Sequence, residues 1–274
     1  MNFEDDSLSG ATALTEKALT YIYKLADKKY STRDDFLSTL KKESLSITKS
    51  QKSMVSLQNE LSRVLRGAEK GEDLVKAQRN AKICAKERLQ FLKKAETNII
   101  YYGISLIREG CTVLTLSNSS IVEKILIHAY ERIPFYIIAT ESRPNYEGRL
   151  LAESLNDKEI PVTLIVDAAA TLFDPDIVLV GADSITPNFL INKVGTKFLA
   201  TSFPTYVACC TNKFTKKKIM IEEKDPNEVL PGANRYENLR VKNYYFDGTP
   251  LDCIRGFITE YGILSPEKVR SLLQ

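Results

Sequence analysis

The sequence changes character near Gly110, and this change limits the folds that the chain can adopt. Over residues 11–26 and 57–65, apolar side chains recur every three or four positions, which predicts amphipathic helices. Residues 72–106 contain no Pro, and no Gly until Gly103, so one long helix is expected there. After Gly110, short apolar runs alternate with segments of helical spacing. The chain therefore predicts a helical region followed by an α/β region.

Five runs after Gly110 are apolar at consecutive positions, as in strands that are covered on both faces. They are residues 111–116, 135–139, 162–166, 177–180 and 206–210. Helices are expected between them, at residues 119–131, 147–156, 168–172 and 193–201. Strands that alternate with helices predict a doubly wound parallel sheet with right-handed crossovers. The expected domains are residues 1–108, helical, and residues 109–274, α/β.

The charge distribution supports two units with different surfaces. The 274 residues carry a net charge of +3, but residues 1–108 hold 20 basic and 14 acidic side chains, whereas residues 109–274 hold 18 and 21. A solvated helical face is the ordinary explanation of such a surplus. A basic surplus can also indicate RNA binding. We do not favour RNA binding by residues 1–108, because aromatic side chains are not interleaved with the basic ones.

Several functional classes are not expected from this composition. The first ten residues are acidic and polar, unlike a signal peptide, and no run is long and apolar enough to span a membrane, so a cytoplasmic protein is expected. The chain has five cysteines without a CxxC pair and one histidine, so neither disulfides nor a zinc site is expected. The patterns GxGxxG and GxxxxGK[ST] are missing, and no cofactor or metal is expected.

Polar side chains follow three of the predicted strands, where open parallel sheets bind ligands. Ser117 and Asn118 follow the first strand and can offer amides to a phosphate or cap the next helix. Asp183 follows the fourth strand, and the pair Asn192 and Lys193 comes shortly after it. A carboxylate beside an Asn-Lys pair is suited to acid/base chemistry on a bound anion, although a lone Asp at a strand end is more often a cap or turn residue.

Four segments carry a resemblance to a known family: TESRPNYEGRL at residues 140–150, IPVTLIVD at 160–167, VGADSITPNFLINKVGTKFL at 180–199 and FDGTPLDCIRGFITEYG at 246–262. The chain resembles the family that unites the alpha, beta and delta subunits of translation initiation factor 2B with methylthioribose-1-phosphate isomerase and ribose-1,5-bisphosphate isomerase. This resemblance implies an N-terminal helical domain, a Rossmann-like C-terminal domain and a homodimer formed through the latter.

The resemblance also implies roles for particular residues. Asp183 corresponds to the acid/base aspartate of the isomerases, and Asn192 with Lys193 to their phosphate-holding pair. Gly10 and Ala11 correspond to the end of an Arg-Gly-Ala phosphate-binding triplet. The expected ligand-binding set consists of Gly10, Ala11, Asn118, Arg143, Glu147, Asn192 and Lys193.

Four positions depart from the isomerase pattern. Ser117 stands where the isomerases have a catalytic cysteine, and a hydroxyl needs an adjacent base that a thiol does not. Ser9 and Gln51 replace two phosphate-binding arginines, and Glu147 replaces a neutral glutamine. Each lost charged hydrogen bond costs about 1.5–3 kcal/mol, so two losses weaken phosphate binding by a few orders of magnitude.

These departures favour a translation-initiation-factor-2B-like regulatory or scaffold protein. Such a protein would bind the alpha subunit of initiation factor 2 and a phosphorylated metabolite, either a sugar phosphate or a nucleotide. The alternative is an aldose–ketose isomerase of sugar phosphates with an altered site, in which Asp183 and Ser117 would be catalytic.

Overall fold

The computed structural model describes residues 11–50 and 54–274. Its packing divides the chain into two units. The first takes the described residues up to Glu96 together with Cys210–Phe214, and the second takes Thr97–Cys209 and Thr215–Gln274. The domain boundary expected after residue 108 stays a prediction.

The first unit is built from helices. They are α1 (Ala11–Leu25), α2 (Arg33–Ser50), α3 (Val55–Glu69) and α4 (Leu74–Ile104), the last of which continues into the second unit. Their apolar faces form one buried core, because the side chains at three- and four-residue spacing lie on one side of each helix. The core includes Leu14, Leu19, Ile22, Phe36, Leu40, Leu57 and Leu61. The expected N-terminal helices and the long helix are confirmed.

One ion pair lies inside this helical unit. Arg88 of α4 donates from Nε and Nη2 to the two carboxylate oxygens of Glu60 on α3, at 2.6 and 2.9 Å. The Glu60 side chain is fully buried. Two parallel hydrogen bonds satisfy both groups, which makes a buried charge tolerable.

Ten strands lie in the second unit. They are β1 (Thr112–Thr115), β2 (Tyr136–Thr140), β3 (Thr163–Ile165), β4 (Ile177–Val180), β5 (Ser184–Ile185), β6 (Phe189–Lys193), β7 (Thr205–Ala208), β8 (Phe246–Pro250), β9 (Gly256–Thr259) and β10 (Gly262–Leu264). Seven of them form a sheet in the order β10-β9-β7-β4-β1-β2-β3, which is parallel except for β10. The helices of this unit are α5 (Ser120–Tyr130), α6 (Glu147–Asn156), α7 (Thr196–Ser202) and α8 (Pro266–Leu273). This is a doubly wound sheet, so the predicted fold class is confirmed.

Two local expectations for this unit are wrong. The run at residues 162–166 is apolar, but β3 is an edge strand, and its Leu164 is 45% exposed. Lys193 ends β6 and does not begin a helix, because residues 189–193 pair with β8 in a small antiparallel sheet of order β5-β6-β8. That pairing joins segments about 55 residues apart, which no local pattern reveals. Within the described ranges, no helix has the length and apolar character needed to cross a membrane.

Candidate functional site

The crevice of the large sheet lies between β1 and β4. Strand β1 pairs with β2 on one side and with β4 on the other. The strands after β1 therefore extend the sheet first in one direction, through β2 and β3, and then in the other, through β4 and β7. Ligands of doubly wound sheets bind at such a switch point, beyond the carboxyl ends of the strands. Gly181 follows β4, and a Cβ there would lie 2.6 Å from the Ser119 hydroxyl. Only glycine therefore lets the loops after β1 and β4 come this close.

Hydrogen bonds hold the loops after β1, β2 and β3 together. The Ser117 amide donates to Ser142 Oγ at 2.7 Å. The Asp167 carboxylate accepts from the amides of Ser142 and Arg143, both at 2.8 Å. Ser117 and Ser142 have φ values of 69° and 64°, in the left-handed region that residues other than glycine rarely adopt. Such backbone conformations persist where the surroundings enforce them, and they cluster at functional sites.

The polar residues after β1 do not cap the next helix as one interpretation predicted. Ser119 occupies the cap position of α5, but its side chain makes no capping hydrogen bond. Ser117 is half-buried and Asn118 is exposed. Both residues follow β1 at the switch point of the sheet, and their predicted roles stay predictions.

Asp183 is fixed beside the small sheet. Its amide donates to the Ile191 carbonyl at 3.0 Å, and the following residues, Ser184 and Ile185, pair with β6. Because Ile191 directly precedes Asn192, this bond sets Asp183 next to the Asn-Lys pair. The side chain of Ser184 is fully buried, whereas Asp183 is half-buried.

Asn192 and Lys193 are buried at the end of β6. Asn192 Nδ2 donates to Thr196 Oγ1 at 3.0 Å, so part of its amide is used inside the protein. Lys193 Nζ donates to both oxygens of Glu147, at 2.8 and 2.6 Å, and its side chain is 4% exposed. The ammonium also lies 5.7 Å from the centre of the Tyr245 ring. The predicted anion-binding lysine is therefore already paired with a carboxylate.

Arg143 lies in the loop after β2. Its guanidinium donates to the Tyr146 hydroxyl and, at 3.3 Å, to the Val229 carbonyl. It also stands 4.9 Å from the centre of the Tyr146 ring. In contrast to the Lys193 ammonium, the Arg143 guanidinium donates to neutral acceptors.

The structure brings six of the predicted residues into this one region of the second unit, through the contacts described above: Ser117, Arg143, Glu147, Asp183, Asn192 and Lys193. Ala11 is buried at the start of α1, in the first unit. Gly10, Ser9 and Gln51 lie outside the described residues. The part of the chain that the structure describes contains no cluster of three or more His, Cys, Asp or Glu side chains that could hold a metal ion.

Sequence reasoning missed Asp247, which lies opposite Asn192 in the pairing of β6 with β8. Its carboxylate accepts from the amides of Gly195, at 2.8 Å, and Lys197, at 3.1 Å, and so holds the turn between β6 and α7. Burial raises the pKa of Asp247, although the two backbone donors oppose this effect. The only signal in the sequence is the segment FDGTPLD, which says nothing about a partner some fifty residues away.

Three comparisons relate this chain to known proteins. The pattern described as the Initiation factor 2 subunit family matches residues 7–266. The ribose 1,5-bisphosphate isomerase of Archaeoglobus fulgidus is 34% identical, over 94% of this chain and 86% of that protein. The crystal structure of the Pyrococcus horikoshii OT3 translation initiation factor eIF-2B superposes with a TM-score of 0.82 at 31% identity, over 96% of this chain and 94% of that one.

A more distant structure shares the fold. The tetrameric eIF2B-beta2-delta2 complex from C. thermophilum matches with a TM-score of 0.75 at 17% identity, over 98% of this chain and 90% of that one. The family pattern spans nearly the whole sequence. The chain belongs to the initiation factor 2 subunit family, whose relatives include both eIF-2B-like proteins and ribose 1,5-bisphosphate isomerases.

Proposed function

We propose that this chain binds a phosphorylated sugar beyond the carboxyl ends of the strands and catalyses its aldose–ketose isomerisation. The observation that carries the proposal is the hydrogen bond from the Asp183 amide to the Ile191 carbonyl, which places the backbone of Asp183 beside that of Asn192 and Lys193. The similarity to a ribose 1,5-bisphosphate isomerase over most of the chain supports the same reaction class. On this ground the isomerase alternative is better supported than the regulatory role that the sequence alone favours.

The reaction suits the groups at the site. An aldose–ketose isomerisation moves hydrogen between neighbouring carbons and leaves the atoms of the substrate unchanged in number. It requires a group that accepts and returns a proton, and we assign this role to the half-buried carboxylate of Asp183. Arg143 would hold the phosphate, since an arginine presents several fixed donors to such an anion. Ser117 offers a hydroxyl to the substrate, and without a thiol there we expect slow turnover.

An isomerisation assay tests the proposal. We expect the wild-type protein to convert a ribose phosphate or methylthioribose 1-phosphate to the ketose, and Asp183→Asn to lower kcat by about 10²–10⁴-fold, the usual contribution of an acid/base group. Asp157→Asn, which removes an exposed carboxylate at the end of α6, is the matched control and should keep full activity. Wild-type protein without turnover, or undiminished turnover in Asp183→Asn, would contradict the proposal.

A second candidate function is that of an eIF-2B-like regulatory protein that binds initiation factor 2. Two observations favour it: Ser117 carries no thiol, and the ammonium of Lys193 is already neutralised by Glu147. Purified alpha subunit of initiation factor 2 can be titrated into this protein. Binding without any isomerase turnover supports the regulatory candidate, whereas turnover without binding supports the isomerase.

We also propose that the protein forms a homodimer through its second unit. Apolar side chains lie exposed around the edge strand β3 and on the short 3-10 helix Asp167–Leu172 that follows it. Tyr136, Val166 and Leu172 are 67%, 57% and 83% exposed. A group of large apolar side chains at a sheet edge is typical of a surface that a partner covers.

A further inference from the structure

The carboxylate of Glu147 occupies the position at Lys193 where an anionic group of a ligand would bind. Both of its oxygens accept from Nζ, at 2.8 and 2.6 Å. The lysine side chain is 4% exposed, so it has little freedom to turn toward another anion. A phosphate that approached Lys193 would meet a neutral pair and the repulsion of the carboxylate.

The position of Glu147 in the fold holds this carboxylate in place. Glu147 is the first residue of α6, where the free amides of the first turn favour a negative side chain. The preceding residue, Tyr146, has a φ of 60°, which directs the chain from the loop into the helix. Next to Glu147, Gly148 packs so tightly that a Cβ would lie 1.7 Å from the Thr140 carbonyl. The start of α6 therefore lies directly against the end of β2.

Arg143 differs from Lys193 in the exposure of its side chain and in the charge of the groups that its side chain contacts. Its side chain is half-buried and thus partly accessible, and its guanidinium is bonded to the Tyr146 hydroxyl and the Val229 carbonyl. Neither acceptor is charged, so a phosphate that binds Arg143 displaces no carboxylate. Of these two predicted phosphate-binding cations, one is neutralised and one keeps its full charge.

We propose that Glu147 restricts the site to sugars that carry a single phosphate and excludes sugar bisphosphates. The proposal rests on the proposed function, because it names the substrate class of that same site. The single phosphate binds Arg143. The Glu147 side chain is 28% exposed, so its carboxylate also accepts hydrogen bonds from the sugar hydroxyls, which a phosphate cannot donate in its ionised form.

Isothermal titration with three matched ligands tests this proposal: ribose 1-phosphate, ribose 5-phosphate and ribose 1,5-bisphosphate. We expect the wild-type protein to bind at least one monophosphate about tenfold or more tighter than the bisphosphate. In Glu147→Gln, the affinity for the bisphosphate should rise by about tenfold or more relative to that monophosphate. The double variant Glu147→Gln/Lys193→Met should lose this gain, which separates an effect on Lys193 from a general change in charge.

Glu141→Gln is the control, because it removes the same charge from the loop that leads into α6. Glu141 pairs with the exposed Arg149, at 2.6 Å, and not with Lys193. This variant should leave the ratio of affinities within about twofold of the wild-type value. Thermal melting of each variant verifies that the protein is folded before the titration.

The possible results separate this proposal from the proposed function. If the wild-type protein prefers the bisphosphate and Glu147→Gln leaves the ratio within twofold, Glu147 does not select the substrate, while sugar-phosphate binding stands. If neither the wild type nor any variant binds any of the three ligands, both the proposed function and the proposed selectivity are wrong. A wild-type preference for a monophosphate that Glu147→Gln abolishes supports both.

Discussion

At the scale of the residue, the crevice combines groups that match an isomerase with groups that do not. Asp183 has the position of an acid/base, while Ser117 has a hydroxyl where a thiol would be more reactive. Glu147 changes the charge of the site most, because one carboxylate cancels the ammonium of Lys193. We therefore expect the side chains of Ser117 and Glu147 to determine what this crevice binds and how fast it reacts.

Asp247 gives a prediction about pH. Burial raises its pKa above the ordinary carboxyl value of 3.8, so the folded state favours the protonated form more than the unfolded state does. The stabilisation by the protonated carboxyl is fully present below the ordinary pKa of 3.8, which applies to the unfolded state, and it is lost as pH rises through the folded-state pKa. Relative to Asp247→Asn, wild-type protein should therefore lose free energy of unfolding as pH increases from about 4 to about 7. Urea unfolding of both proteins across this range measures the difference.

A suitable control for this prediction is Asp157→Asn, since Asp157 is exposed. Its free energy of unfolding should follow that of the wild type throughout the range. A difference between wild type and Asp247→Asn that stays constant, or that grows in favour of the wild type with rising pH, would show that burial does not dominate at Asp247.

At the scale of the element, the sequence predicts the helices and strands whose bounds depend on neighbouring residues. The bounds of α6 follow from its sequence, and most strands of the large sheet lie within two residues of the predicted runs. The small sheet could not be predicted, because β8 joins β6 from far along the chain. The Glu147–Lys193 pair joins α6 to β6 across 46 positions of sequence, and no local pattern reveals a contact at that separation.

The pairing of α3 with α4 gives a prediction about stability. Arg88→Met leaves the fully buried Glu60 without its partner, and breaking a buried ion pair in this way costs about 3–5 kcal/mol of free energy of unfolding. Lys76→Met is the control on the same helix. It breaks an exposed pair with Glu72, at 2.6 Å, and should cost no more than about 1 kcal/mol.

Chemical denaturation of the two variants measures both losses. The double variant Glu60→Leu/Arg88→Met should recover part of the stability that Arg88→Met loses, since no charge is then left buried. Equal losses in Arg88→Met and Lys76→Met would mean that the Glu60 carboxylate is solvated in the folded protein.

At the scale of the whole molecule, residues 1–108 are basic and residues 109–274 are mildly acidic. The small net charge of +3 conceals this difference, because the surplus of one half offsets the deficit of the other. The candidate site and the proposed dimer surface both belong to the second unit, where the 3-10 helix Asp167–Leu172 contributes to both: Asp167 holds the loop of Arg143, and Leu172 lies exposed at its end. Turnover should therefore be measured in every variant that tests the assembly.

Light scattering tests the proposed homodimer. We expect a mass of twice the 30.9 kDa chain for the wild type, and dissociation to the monomer in Leu172→Asp, which puts a charge on the most exposed apolar side chain near β3. Val75→Asp, at a 73% exposed position of the first unit, should leave the dimer intact. A monomeric wild type would contradict the homodimer. A Leu172→Asp variant that remains dimeric would show that the surface around β3 is not the dimer interface.

The central claim is that a phosphorylated sugar binds beyond the carboxyl ends of the strands, within reach of Asp183. A crystal structure of the protein with ribose 5-phosphate tests it most directly. The account predicts the phosphate on the guanidinium of Arg143, sugar hydroxyls on the carboxylates of Asp183 and Glu147, and an unbroken Glu147–Lys193 pair. A phosphate bound to Lys193 in place of Glu147, or a sugar bound elsewhere with this crevice empty, would contradict it.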